Sequence, residues 1–70
     1  MQREHVDSSM IRAVGYDPRQ HLLEIEFNSG RVYQYSDVPQ DVFKGLMSAE
    51  SKGRYFLGNI EGIYLYRKVR

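Results

Sequence analysis

The chain has no cysteine, only two prolines, and almost no net charge, +1 over 70 residues. Without cysteine neither a disulfide nor a thiolate zinc site can brace the fold. No apolar run approaches the roughly 20 residues that span a bilayer. Met1–Asp7 lacks the apolar centre of a signal peptide, so the expectation is a soluble, cytoplasmic protein. There is no internal repeat and no low-complexity segment. A chain this short makes one domain with a small core. Its six Tyr and three Phe must supply much of the buried surface.

The charge is unevenly spread. Residues 1–47 carry five Arg/Lys against seven Asp/Glu, whereas residues 48–70 carry Lys52, Arg54, Arg67, Lys68 and Arg70 against Glu50 and Glu61. An acidic front and a basic back would orient the molecule near a polyanion; a short chain also shows such asymmetry by chance.

Periodicity predicts the elements. Met1–Ser8 is polar and is expected to be a flexible lead-in. Ser9–Tyr16 reads as a first strand, supported by Met10, Ile11, Ala13, Val14 and Tyr16. Asp17-Pro18-Arg19-Gln20 is a turn, with Asp and Pro at the positions that favour them. In His21–Phe27, Leu23, Ile25 and Phe27 share one face while Leu22, Glu24 and Glu26 share the other. Asn28-Ser29-Gly30 then closes a hairpin, its glycine free to take positive φ. In the third strand, Arg31–Tyr35, Val32 and Gln34 face one way and Tyr33 and Tyr35 the other.

Pro39 changes the period. It suits the first turn of a helix, where its missing N–H does no harm. Val42, Phe43, Leu46 and Met47 form a helical stripe, with Asp41 near the positive helix end. Ser48 is expected to interrupt this helix and cap a second one over Ala49–Ile60, weakened at Gly53. Gly62 ends the helical part, and Ile63–Tyr66 is a candidate fourth strand or an extended tail. The fold class is α+β: a three-stranded antiparallel meander, then two α-helices packed on one face, with a short C-terminal strand in reserve. The expected division is a lead-in at 1–8, one domain at 9–66 and a basic tail at 67–70. The expected core is Ile11, Leu23, Ile25, Phe27, Val42, Phe43, Leu46, Phe56 and Ile60.

Several short elements carry a family resemblance: Ser8-Ser9-x-Ile11, Gly15-Tyr16-Asp17, Leu23-x-Ile25-x-Phe27-x-x-Gly30, Tyr33-x-Tyr35-x-x-Val38-Pro39, and Ala49-x-Ser51-x-Gly53-x-Tyr55-Phe56-x-x-x-Ile60. Together these resemble the KTSC domain, found at the C-terminus of some lysyl-tRNA synthetases and as small bacterial and phage proteins. The resemblance runs from Val6 to about Tyr66. It implies no catalytic residues. It implies RNA as a candidate partner through the synthetase fusion. Aminoacylation itself is excluded by size.

The residues add their own chemistry. Lys52, Arg54, Arg67, Lys68 and Arg70 can contact phosphates. Interleaved Tyr55, Tyr64 and Tyr66 can stack on bases. Tyr33 and Tyr35 are secondary stacking candidates, with core packing the competing role. The favoured expectation is therefore a noncatalytic nucleic-acid-binding module, RNA before DNA, which needs the five cations on one face. Their dispersal over opposite faces favours the alternative, a protein-interaction module acting as a small bacterial or phage regulator that docks through a sheet edge or the Tyr-rich C-terminal segment. Ser51-Lys52-Gly53 reads as a structural cap rather than a phosphate loop. His5 and His21 have no companions of metal-ligand spacing. Glu24 and Glu26 read as a solvated strand face rather than an acid–base pair, and no nucleophile-elbow pattern is present. Neither cofactor nor metal is expected, and the chain reads as noncatalytic.

Overall fold

The structure, a computed structural model, describes all residues from Met1 to Arg70. Its element order is β1 (Arg3–His5), β2 (Ile11–Asp17), β3 (Leu22–Phe27), β4 (Val32–Tyr35), α1 (Gln40–Ser48), α2 (Lys52–Asn59) and β5 (Tyr66–Lys68). The five strands form one sheet in the order β1-β2-β3-β4-β5, with every neighbouring pair antiparallel. The α+β class and the meander-then-helices order agree with the sequence; the sheet is wider by one strand at each edge.

The turns form where the residue chemistry requires. The Asp17 carboxylate accepts from the Arg19 N–H at 3.0 Å, closing the β2–β3 turn. Gly30 takes a φ of 97° in the β3–β4 hairpin, as its position there requires. Pro39 sits at the N-cap of α1, one residue before the first helical residue. Strand β4 has ended by then, at Tyr35.

Three sequence expectations change. The lead-in contributes β1, whose Arg3 lies opposite Gly15. A Cβ at Gly15 would come within 3.0 Å of Arg3 Cγ and of the Gln2 carbonyl oxygen, so the missing side chain is what lets β1 approach. Nothing in the polar sequence of β1 announces a strand, because it pairs through its backbone. The second helix starts later than expected, and its cap is Ser51, whose Oγ accepts from the Arg54 N–H at 3.3 Å. Ser48 instead turns back to the Lys44 carbonyl at 3.0 Å. Lastly, the C-terminal strand is Tyr66–Lys68 rather than Ile63–Tyr66, so Arg67 and Lys68 belong to the sheet and not to a tail.

The core lies between the sheet and the two helices. Ile11, Val14, Leu23, Ile25, Tyr35, Val38, Leu46, Phe56 and Ile60 form one buried cluster. Phe27, Val42 and Phe43, expected in the core, are half-buried and pack against its margin. Val38 was missed because it lies outside any periodic element. It is fully buried, its N–H donating to the His21 carbonyl at 2.9 Å and its own carbonyl accepting from the Tyr16 hydroxyl. Tyr16 also stacks on Phe43, with centroids 4.8 Å apart. These contacts tie the strand-to-helix junction to β2 and β3.

Candidate functional site: an aromatic groove and a cationic sheet edge

Register decides where each candidate points. Leu23 lies opposite Tyr35 and Ile25 opposite Tyr33, so both tyrosines share the helix-covered face. Tyr66 lies opposite Tyr35, and Lys68 opposite Tyr33. Their side chains fall on that face too. The result is a continuous aromatic cluster. Tyr33 stacks on Tyr66 at 5.3 Å and meets Phe27 edge-on at 5.6 Å. Tyr35 meets Phe56 edge-on at 5.6 Å. Such pairs add about 0.5–1.5 kcal/mol each beyond burial.

Tyr35 is core, and its phenol is pushed up from its usual range by burial first, then by Glu61, Tyr33 and Tyr66 nearby. It stays protonated at neutral pH. Burial, and after it the neighbouring Asp17, also raises Tyr16. Neither phenol is poised for proton transfer.

Beside the cluster lies an open groove of about 400 Å³. Phe27, Tyr33, Tyr35, Phe56, Leu57 and Met10 supply most of its wall, with Arg31 and Glu61 among the polar groups. The helices leave this part of the sheet uncovered. The large exposed apolar side chains are Met1, Leu57, Ile63, Leu65, Tyr66 and Val69; Leu57 lines this groove, whereas Val69 lies on the open face beside Val32. Leu65 is 82% exposed.

The five cations do not form one strip. Lys52 and Arg54 stand on α2, where Lys52 Nζ donates to the Ala49 carbonyl at 3.0 Å and Arg54 is exposed. Lys68 lies beside Tyr33 on the helix-covered face. Arg67 and Arg70 turn to the opposite face, donating to Gln34 at 3.2 Å and to Glu26 at 3.2 Å. The tyrosines divide as well. Tyr66 is exposed, whereas Tyr64 packs against the core. Tyr55 fills the space over Gly45, where a Cβ would overlap its ring; it is a helix–helix contact.

The open face of the sheet carries Arg3, Arg12, Arg67 and Arg70, of which the sequence reading named Arg67 and Arg70 and missed Arg3 and Arg12. Arg3 reaches Glu24 at 3.3 Å. Arg12 and Arg70 reach the same Glu26 oxygen at 3.7 and 3.2 Å. The register shift between Ile11 and Ala13 is a bulge, which sets Arg12 beside Ala13 on this face. Glu24 also accepts from Gln34 at 2.8 Å. The two carboxylates are therefore not a solvated pair: they are 12% exposed, beneath arginines exposed up to 63%. Four guanidinium groups outnumber two carboxylates here, and the cations face water. A signal for this existed only in the alternation of Glu24 and Glu26; Arg3 and Arg12 come from the acidic front.

No group of three or more His, Asp or Glu side chains is placed to hold a metal ion. No helix is long and apolar enough to cross a membrane.

Comparison with known proteins fits this architecture. The family model for the KTSC domain matches residues 7–64. An uncharacterised protein of Stutzerimonas stutzeri is 48% identical over 56 residues, covering 80% of this chain and 79% of that one. A lysine–tRNA ligase of Nostoc is 40% identical over 63 residues, which is 90% of this chain but 11% of the ligase. The crystal structure of a KTSC domain protein from Yersinia pestis superposes with a TM-score of 0.96 at 48% identity, covering 99% of this chain and 97% of that one. Sequence, strand order and superposition agree: this chain belongs to the KTSC domain family.

Proposed function

We propose that this KTSC domain is a noncatalytic protein-interaction module that binds its partner beside α2 and β5. The observation that carries this reading is the exposure of Leu57 on the wall of the aromatic groove and of Leu65 and Tyr66 along β5, with Tyr66 stacked on the groove's Tyr33. Exposed apolar side chains scattered singly need no explanation, but a collection next to an open aromatic groove marks an interaction surface. The dispersal of Lys52, Arg54, Arg67, Lys68 and Arg70 weighs the same way, since one RNA strand does not reach both faces of the sheet. Cytoplasmic residence is part of this proposal. The test is capture from nuclease-treated lysate with the wild-type domain and with Leu57→Glu and Leu65→Glu. The expected result is one protein retained by wild type and lost, by about tenfold or more, with either variant. Retention of nothing, or equal retention by all three, overturns the reading.

A second reading, RNA binding, has its own support in the open face. Arg3, Arg12, Arg67 and Arg70 present more positive charge than Glu24 and Glu26 offset, and lysine–tRNA ligases stand among the relatives. On this reading the phosphate backbone of structured RNA lies across the sheet, away from the tyrosines. Titration of an RNA hairpin at several salt concentrations tests it. Each phosphate contact contributes about 0.9 to the salt slope on a duplex, so Arg12→Glu with Arg67→Glu should flatten the slope by nearly two contacts. Binding weaker than about 0.1 mM at low salt, where even nonspecific RNA binders hold on, rejects it.

A further inference from the structure

The free edge of β5 has a chemistry that selects a guest. Ser36 N–H donates to the Leu65 carbonyl at 2.8 Å, and Val69 N–H donates to the Val32 carbonyl at 2.7 Å. Leu65, Arg67 and Val69 thus turn their main-chain groups toward β4. Antiparallel alternation leaves the N–H and C=O of Tyr66 and Lys68 pointing away from the sheet. Strand β5 is last in the sheet order, and all three of its residues are exposed. Those main-chain groups are a template for one more strand.

Side chains define what that strand must carry. Lys68 has no carboxylate partner, and Arg67 bonds only to the neutral amide of Gln34. Both charges are left uncompensated, one on each face of the sheet. Exposed Tyr66 and Leu65 come next along the edge. A second copy of this chain would set Arg67 and Lys68 against their own kind, which like-charge repulsion opposes. Edge cations do guard against self-pairing, but that role needs no exposed Leu65 and Tyr66 beside them. Resting on the interaction reading above, we propose that the β5 edge binds an extended acidic peptide segment by strand addition. An antiparallel guest would place two acidic residues opposite Lys68 and Arg67. Two apolar residues would follow, opposite Tyr66 and Leu65.

The experiment is an amide NMR titration of the full chain with the peptide Thr-Thr-Glu-Glu-Val-Val-Thr-Thr, capped at both ends. The expected result is shifts centred on Tyr66 and Lys68, with slowed exchange of their N–H groups. A version with Lys in place of Glu should bind about tenfold more weakly. A version N-methylated at the edge-facing positions should not bind. Lys68→Glu should reverse the preference between the two charged peptides, a change that loss of folding would not produce. Shifts confined to Phe27, Tyr33 and Leu57 overturn the proposal, as does indifference to N-methylation. So do self-association through β5, and perturbation of the same amides by an RNA hairpin but not by the peptide. If the peptide fails while nuclease-treated capture still depends on Leu57, strand addition alone falls. If capture fails too, the interaction reading falls with it.

Discussion

On the helix-covered face, Leu23, Ile25, Leu46, Phe56 and Ile60 are sealed from water. On the open face, Glu24 and Glu26 lie beneath Arg3, Arg12 and Arg70. The first face gathers apolar and aromatic surface, so its stability comes from burial and packing. The second gathers ion pairs at the edge of water, where each contributes little. The difference teaches that stability and surface charge are written on opposite sides of one sheet. A substitution can change one with little effect on the other.

The strongest way to break this division is Phe56→Ala. Phe56 is nearly fully buried and touches Phe27 and Tyr35 edge-on. The loss should be about 3–5 kcal/mol, enough to unfold most of so small a domain, as read by urea denaturation. Phe43→Ala should cost less, because Phe43 is half-buried and keeps mainly its Tyr16 partner. If the two substitutions cost the same, the core is not where the buried cluster places it.

Gly45→Ala comes next. Its new methyl would overlap the Tyr55 ring and force the helices apart or the ring out of its place. Overpacking of this kind costs about 1–3 kcal/mol. Tyr55→Ala added to Gly45→Ala should recover part of that loss if the clash is its cause. A strictly additive double mutant would show that Tyr55 does not fill this gap.

Alkaline pH probes the same face. The folded pKa of Tyr35 is raised above its unfolded value, so folding favours the protonated phenol. Its contribution is fully present below pH of about 10, where the unfolded phenol is protonated as well. Above that, the unfolded chain gives up its proton first and stability falls as pH rises. Tyr35→Phe should flatten this alkaline loss in thermal melts. An unchanged slope would show that Tyr35 is not the group responsible.

Glu26→Gln should have the smallest effect on stability, within about 1 kcal/mol as expected of partly exposed ion pairs. It removes the shared partner of Arg3, Arg12 and Arg70 and leaves the open face more positive. RNA affinity at low salt should then rise, and peptide binding at β5 should stay as it was. A large loss of stability would mean that the network holds the sheet together, and the contrast between faces would fail.

The meander, the hairpin at Gly30, the helix beginning after Pro39 and six of the nine expected core residues were legible in the sequence, because periodicity and turn chemistry are local. Ser51 was read as a structural cap and is one, but the start of α2 was given to Ser48, because two serines three residues apart both suit a cap. The family resemblance was legible for the same reason, as short motifs of fixed spacing. The candidate site was much less so. Tyr66 and Lys68 were named as nucleic-acid contacts; both are exposed, but in a basic strip that does not form.

The sequence by itself determined which segments extend, which coil, and how much aromatic surface must be hidden. It could not determine which strand lies beside which, because a strand's partner is chosen by contacts distant along the chain. The tertiary structure decided that polar Arg3–His5 would join the sheet across Gly15, and that Arg12 and Arg70, fifty-eight positions apart, would meet over Glu26. It also decided the sides of β5: antiparallel register sets alternate side chains on opposite faces, so neighbours Arg67 and Lys68, a single basic pair in the sequence, are separated by the thickness of the sheet.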